Sequence, residues 1–536
     1  MGVFLLLAGL LVFLYWAARK EIWFCDEIYT YESANGFEQT FPAKRTDVWT
    51  NRAEVIAAFA ADSDKLALKE VSSNLYGDHV PLYFWIFRML SFWGFRGSCS
   101  TWIGLGINLF FYLFLLLSLY CFFFRLTGNI GGAGGIVVLG GIVCRLCLEQ
   151  ATTLRMYMLL LWAEVLLLIV CFRLIDEVRS RKLRPSTWVF LFGISVIGFL
   201  THYDFWIFYA VSAGVFCLWL LGHVLWSMKC ARWQMGQKMR GDVSTLWHCA
   251  AVWIVNSALV LVTVNALFPY WKDNLRQGNG ALARKALSAP FGDVLYRLGW
   301  GYRSLSGSIF GEAVPPVIGV VLLFGVLVGG IFFLYRQKEN AKGAGLVIIC
   351  LITQLYQWLI CLAMPSVAQE RYLWGSHTIV WCCVLWCALM LLELLFPDKT
   401  PLRTVTAVFL ACVVLVGEWR VIDDGRGIAY LYQPEKNKLL LQEHSGEPWL
   451  VYGATDGVYC YYDWIIPERI CFLTEHQTPE DVVAVQEAGE ADAFVLYVRE
   501  DLYPQAADFL EQAMGEHISV DYLTASGNLK VYLVER

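Results

Sequence analysis

Charged side chains are scarce in this chain. Asp, Glu, Lys and Arg make up 16% of its 536 residues, against about 25% in a soluble domain. That shortage excludes a disordered chain, a solvated coiled coil and an ordinary cytosolic enzyme. Several motifs are also missing. There is no GxxxxGK[ST] phosphate loop, no GxGxxG turn and no CxxC…CxxC spacing, which removes the common nucleotide folds and a zinc ribbon. No internal repeat, low-complexity tract or nucleic-acid signature is present, so no nucleic-acid partner is expected. What remains is 58% hydrophobic, the composition of a polytopic membrane protein.

The few charges are unevenly placed. From Glu418 to the C-terminus there are 22 acidic and 8 basic residues, net -14; the preceding part carries 24 acidic and 33 basic, net +9. Two regions with different surroundings are implied. Most of the 17 cysteines, such as Cys144, Cys147, Cys171, Cys350, Cys382 and Cys383, lie inside apolar runs and read as small hydrophobes. Cys460 and Cys471 lie in the polar tail and are candidates to pair in an oxidising compartment. Gly131–Gly132 and Gly134–Gly135 read as helix-packing glycines.

Apolar runs of spanning length predict eleven transmembrane helices, near 2–16, 102–124, 131–149, 152–172, 187–201, 203–226, 245–268, 314–335, 344–363, 372–396 and 402–417. The first lacks an n-region Lys or Arg and a small-residue cleavage site, so it reads as a retained helix. Val80–Phe95 is apolar but short and carries Arg88. Short cytoplasmic loops collect Lys and Arg. With a cytoplasmic N-terminus and eleven spans, the basic loops Arg173–Arg184, Lys229–Arg240, Arg336–Lys342 and Lys399–Arg403 all fall inside. Val80–Phe95 is therefore expected to lie on the outer face as an interfacial helix, with Val55–Ala67 beside it. The expected architecture is an all-α polytopic membrane domain, 1–417, whose first outer loop is 19–101. A small α/β extracytoplasmic domain, 418–536, follows. In that tail Trp449–Tyr452, Ala493–Val498 and Leu529–Val534 read as strands, and Pro479–Gly489 and Ala506–Met514 as helices.

With this topology the oddly placed polar residues share the outer side. They are Asp26 and Glu27, Asp78 and His79, Glu149, Arg155 and Tyr157, His202, Tyr203 and Asp204, and Glu370, Arg371 and Tyr372. Ionisable residues at membrane depth are costly and mark a pathway or a site. Sheltered carboxylates beside cations can deprotonate one group and stabilise an anion elsewhere. Each member also has a plain structural reading. Asp26 and Glu27 would cap a helix, Arg155 and Arg371 would snorkel to headgroups, Glu149–Arg155 would be a structural ion pair, and His202 would be a satisfied interfacial residue.

These residues also sit in segments that resemble a family. FCDEIYTYE resembles the first-loop signature of GT-C membrane glycosyltransferases. DHVPLYFWIFRML resembles the juxtamembrane HPPLYYLLL segment of the protein O-mannosyltransferase and aminoarabinose transferase branch, glycosyltransferase family 39 and its neighbours. EQATTLRMYMLLL resembles QEARMYALLL with three residues inserted, THYDFW resembles THYYA, and ERYLWGSH resembles a late RYLLP turn. The likeness spans roughly 20–380 and leaves out the tail. Val80 replaces the first Pro of HPP, and Trp374–Gly375 stands where the late turn has Pro.

The resemblance implies a GT-C-like fold in the cell membrane. It implies transfer of a sugar from a polyprenyl-phosphate donor to a lipid, glycan or protein acceptor on the outer face. Asp26 is then expected to be the general base of an inverting reaction, with Glu27 orienting the acceptor. Arg155 and Arg371 would clamp the leaving phosphate, helped by His79 and His202. Asp78, Glu149, Tyr157, Tyr203 and Tyr372 would line the pocket. No cofactor is expected to be obligatory; a divalent Mg or Mn would be held by Asp26 and Glu27, hard oxygen ligands like Asp78 and Glu149. The rival readings are a transporter or lipid flippase, and a non-catalytic relative that binds a lipid-linked sugar. A transporter usually carries two related halves with broken helices at the midplane, and no such repeat is present.

Overall fold

The computed structural model describes residues 1–20, 23–36, 48–61, 65–75, 79–180, 182–231, 237–311, 314–337, 339–363, 370–396, 400–421, 439–440, 442–453, 468–515, 517–526 and 529–535. Among them, eight helices are long and apolar enough to cross a membrane. They are α6 (Trp102–Thr127), α9 (Tyr157–Ser180), α11 (Tyr203–Ala231), α12 (Gln237–Leu267), α16 (Pro316–Arg336), α17 (Asn340–Ala363), α18 (Trp374–Leu395) and α19 (Thr400–Val421). Two shorter apolar helices, α1 (Gly2–Ala17) and α10 (Pro185–Thr201), and one bent pair complete the set expected from the sequence.

The bent pair departs from the straight third span. Helix α7 (Ile130–Val137) runs into a π-helical turn at Val138–Ile142, and α8 (Arg145–Thr152) leaves at 53°. Glu149 therefore lies inside a helix, and the turn before α9 is 153–156. The close-packed glycines are Gly140 and Gly141, not the pairs at 131–135. A Cβ on Gly140 would stand 2.6 Å from Cys382 Sγ, and one on Gly141 2.7 Å from Leu116, whereas Gly135 faces open space. The pair still returns across the bundle. Asn108, near the start of α6, donates to the Thr153 carbonyl beside the start of α9. At their far ends Arg125 pairs with Asp176. Helices α6 and α9 are thus parallel, so the chain between them must cross back.

The segment between α1 and α6, expected as the first outer loop, folds into α2 (Cys25–Asn35), α3 (Arg52–Phe59), α4 (Leu68–Asn74) and α5 (Leu82–Gly94). Its core is aromatic: Trp23 stacks on Tyr31 at 4.6 Å, and Tyr31 meets Phe87 edge-on at 4.7 Å. At 13 residues α5 is about 20 Å long, too short to span. Arg88 in its middle is fully buried and donates to the Lys65 and Leu66 carbonyls and to Asn35 Oδ1. An Arg held by loop carbonyls belongs to the loop, which explains a charge in so apolar a segment. The segment between α12 and α16 forms α13 (Trp271–Arg276), α14 (Gly278–Leu287) and α15 (Phe291–Phe310). Arg297 ties α15 to the Ala286 and Leu362 carbonyls.

The tail is a six-stranded sheet in the order β1-β3-β2-β4-β6-β5. The three expected strands are β2 (Trp449–Tyr452), β4 (Ala493–Arg499) and β6 (Leu529–Glu535). β3 (Arg469–Leu473) and β5 (Ser519–Ser526) join them. The sixth, β1 (Thr50–Asn51), comes from the first outer loop and pairs antiparallel with β3. Successive strand residues face opposite sides. Trp449, Val451, Phe472 and Tyr497 continue the core of the membrane domain, while Leu450, Tyr452, Cys471 and Leu496 pack under α20 (Pro479–Ala488) and α21 (Tyr503–Met514). Cys460 lies outside the described residues.

Glycine packing between α16 and α18 gives a direct test. A Cβ on Gly330 would sit 2.4 Å from Cys387 Sγ and 3.2 Å from its Cα, whereas Gly325 on the same helix faces open space. Gly330→Ala should cost about 1–3 kcal/mol through overpacking. Gly325→Ala should be neutral or stabilising. Thermal melting of the purified protein in detergent checks both; equal melting temperatures would refute the packing assignment.

Candidate functional site

The site begins where α1 ends and α2 starts. Phe24 is extended and caps α2, which puts Asp26 and Glu27 in the first turn, where the helix dipole favours carboxylates. Adjacent helical residues point about 100° apart, and these two have different surroundings. Glu27 is fully buried. Its Oε2 accepts from the Phe24 amide at 2.7 Å. Its Oε1 accepts from the Leu154 amide at 2.6 Å and lies 3.0 Å from Lys20 Nζ. One carboxylate thus joins the exit of α1, the start of α2 and the turn before α9.

Asp26 is the half-open member. Its Oδ2 lies 3.0 Å from Arg371 Nη2, with both side chains 16% exposed. Its carbonyl accepts from Arg155 Nη1 at 3.0 Å. Arg155 also donates to the Thr30 hydroxyl at 3.2 Å, and its Nη2 lies 3.0 Å from His79 Nε2. Thr30 in turn donates to the Leu154 carbonyl. Burial first, and then the electrostatic influence of Arg155, His202 and Arg371, push the His79 pKa well down. Neutral His79 can therefore accept from Arg155. Asn274 of α13 holds the His79 and Leu75 carbonyls, so the segment between α12 and α16 helps set this residue.

Arg371 sits in a single 3-10 turn, Glu370–Tyr372, just before α18. Its guanidinium lies over the rings of Phe24 and Tyr372, 5.1 and 5.3 Å from their centroids. The charge of Arg371 stays fixed; Tyr157, Asp26 and Tyr372 raise its pKa against the opposing effect of burial. Among the described residues the buried Nε of Arg155 and of Arg371 each lack a hydrogen-bond partner. An unpartnered buried N–H is expensive, and two guanidinium groups around Asp26, one at its carboxylate and one at its carbonyl, make a site for an anion.

Aromatic rings line the next layer. The ring of His202 lies 6.0 Å from Tyr157 and 6.2 Å from Tyr372, and Tyr157 meets Trp374 at 5.7 Å. His202 Nδ1 accepts from the Asp204 amide at 3.1 Å and lies 3.2 Å from its carboxylate. Tyr203 packs against Trp206, 5.8 Å away. Glu149 joins a further ionic group: its Oε2 lies 3.7 Å from Arg145 Nε, and the Arg145 amide donates to Glu418. Asp78 lies outside the described residues.

Three participants escape a sequence reading. Lys20 and Thr30 are ordinary residues until the fold sets them against Glu27 and Arg155. Glu164 is different, because an acid inside an apolar span is itself a signal. It is fully buried in α9, and a Cβ on Gly375 would stand 2.6 Å from its Oε2. The Trp374–Gly375 pair that replaces a proline thus makes room for this carboxylate. Among the described residues no group of three His, Cys, Asp or Glu is arranged to hold a metal ion. Asp26 and Glu27, the expected ligands, each already face a cation.

Two outcomes follow from this geometry. Glu27→Gln removes the charge that Lys20 and two backbone amides share and should destabilise the protein by about 3 kcal/mol; adding Lys20→Met should restore part of that. Thermal melting of the single and double variants decides it, and a double variant no more stable than the single one contradicts the pairing. The lowered pKa of His79 gives a pH dependence with a definite sign. An ordinary histidine in the unfolded chain titrates near 6.5, so below about that pH only the unfolded state gains the proton and stability is lost. The melting temperature should drop more steeply from about pH 7 to 5 in the wild type than in His79→Gln. Parallel curves would exclude it.

No protein-family model matches the chain, and no curated protein matches it by sequence. Solved structures do match it. ArnT from Cupriavidus metallidurans bound to undecaprenyl phosphate aligns over 99% of this chain and 97% of its own, at 12% identity and a TM-score of 0.51. The apo form of ArnT aligns over the same shares at 11% identity and a TM-score of 0.50. AglB from Archaeoglobus fulgidus, an archaeal oligosaccharyltransferase, covers 97% of this chain and 74% of its own at 10% identity and a TM-score of 0.44. The fold assignment rests on the two ArnT alignments: this chain is a multi-pass membrane protein with the GT-C fold of membrane glycosyltransferases.

Proposed function

We propose that the protein is an integral-membrane glycosyltransferase that moves a sugar from a polyprenyl-phosphate carrier to an acceptor hydroxyl on the outer face of the cell membrane. The observation that carries this reading is the pair of guanidinium groups of Arg155 and Arg371 converging on Asp26, each with an unpartnered buried Nε. The shared fold supports it, because ArnT has been seen with undecaprenyl phosphate bound. The loop charges support an N-terminus in the cytoplasm and a site and tail on the opposite side.

In this reading Arg155 and Arg371 bind the donor phosphate, and Arg371 moves its charge from Asp26 to that phosphate. Asp26 is thereby released as a base only when donor is present. It takes the proton of the acceptor hydroxyl. The oxygen attacks the anomeric carbon from the face opposite the phosphate, and the sugar is inverted. The anomeric C–O bond breaks, its electron pair leaves with the polyprenyl phosphate, and the two arginines stabilise that charge. His79 holds Arg155 in place. His202, Tyr157, Tyr203 and Tyr372 form the wall on the sugar side. Glu27 acts as the scaffold of this arrangement rather than as an acceptor-orienting group. The step is written without a metal, since the arginines supply the positive charge.

The test is transfer from radiolabelled polyprenyl-phosphate sugars to cell-envelope acceptors by the purified protein. Asp26→Asn should retain the fold and lose about 100-fold or more in rate. Arg155→Lys and Arg371→Lys should each weaken polyprenyl-phosphate binding about tenfold, because a lysine cannot make the two-pronged contact. Unchanged transfer in Asp26→Asn would sink the base assignment. Failure to release polyprenyl phosphate with any donor would favour a lipid transporter or a non-catalytic lipid-sugar binder.

A further inference from the structure

A second polar cavity lies at the other end of the bundle. Helix α9 is 24 residues long, about 36 Å, and its first residue, Tyr157, belongs to the site described above. Its last turns, with the end of α6 and the turn into α10, enclose a cavity of about 340 Å³. Four cations line it, Arg125, Arg173, Lys182 and Arg184, together with two acids, Asp176 and Glu177. The acids are already answered. Asp176 pairs with Arg125. Glu177 closes the α9–α10 turn, accepting from the Thr187 hydroxyl at 2.6 Å and from the Arg184 amide at 3.0 Å. Arg173, Lys182 and Arg184 have no carboxylate within 4.0 Å among the described residues. One wall is apolar, built by Phe122, Ile169 and Phe172.

A rim of surplus positive charge above an apolar wall, at the membrane-boundary end of three helices, matches one kind of ligand. The geometry points to a binding site for an anionic phospholipid. Its phosphodiester sits among Arg173, Lys182 and Arg184, and an acyl chain runs down along Ile169 and Phe172. Basic pockets between transmembrane helices recognise lipid headgroups in this way. A free phosphate would satisfy the rim and leave the apolar wall unused, so the lipid is the better occupant. The site is a membrane thickness away from Asp26 and does not depend on the reaction proposed there. Because α9 runs unbroken from one to the other, an occupied lipid site would brace the helix whose first turn carries Tyr157.

Native mass spectrometry of the full chain tests this. Protein in detergent is titrated with phosphatidylglycerol, with phosphatidylcholine, and with phosphatidylglycerol in the presence of inorganic phosphate. Phosphatidylglycerol should stay bound, phosphatidylcholine should not, and inorganic phosphate should fail to displace the lipid. Removing three charges, as Arg173→Gln, Lys182→Gln and Arg184→Gln together, should weaken phosphatidylglycerol binding about a hundredfold. Equal retention of the two lipids, or of phosphatidylglycerol by the triple variant, overturns the proposal, and displacement by inorganic phosphate assigns the rim to a free anion instead. A photoactivatable phosphatidylglycerol on the wild-type protein gives a reading independent of how the variant folds. Crosslinks should fall in 121–125 and 169–184; crosslinks confined to other segments refute the site.

Discussion

The buried carboxylate of Glu27 is the constraint on which the outer end of this protein depends. It satisfies an amide of its own helix cap, an amide of the turn before α9 and the ammonium group of Lys20. A charge taken out of water must be paired and fully hydrogen-bonded to be tolerated. Those demands lock the exit of α1 and the start of α2 to a turn 127 residues further along the chain. They also fix the rotation of α2. With Glu27 turned inward, its neighbour Asp26 faces the opening and meets Arg371, and the Asp26 carbonyl is set against Arg155. The acidic pair is therefore one scaffold group and one accessible group, held a helical step apart.

The cations are held by a different principle. Arg155 comes from an irregular turn and Arg371 from a single 3-10 turn. Neither is on a spanning helix. Aromatic faces hold Arg371 beside the Asp26 carboxylate, and the Asp26 carbonyl and the Thr30 hydroxyl hold Arg155. That leaves N–H edges unpartnered, an arrangement that stores binding capacity for an anion at some cost to stability.

The tail is built into this end rather than attached to it. One face of its sheet continues the core of the membrane domain, and the first outer loop lends it an edge strand. The loop that carries Asp26, His79 and Arg88 is thus gripped from both sides, by the bundle below and by the sheet above.

Much of this was legible in the sequence. The eleven apolar segments, the short length of α5 and three strands of the tail follow from run length and periodicity, because burial in lipid or in a sheet core imposes those patterns residue by residue. The polar residues stranded near one face were legible for the same reason: charge at membrane depth has to be accounted for. The rest was not local. The bend at 138–144 comes from glycines chosen by their contacts with Cys382 and Leu116, and β1 is two residues whose partner lies more than four hundred positions away. Lys20, Thr30 and the separate duties of Asp26 and Glu27 depend on which way a helix is turned. By itself the sequence determined the solvent of each segment and the type of residue present at the outer face. Only the tertiary structure decided which of those residues meet, because pairing of buried charges is set by the geometry of several segments at once and leaves no periodic trace in any one of them.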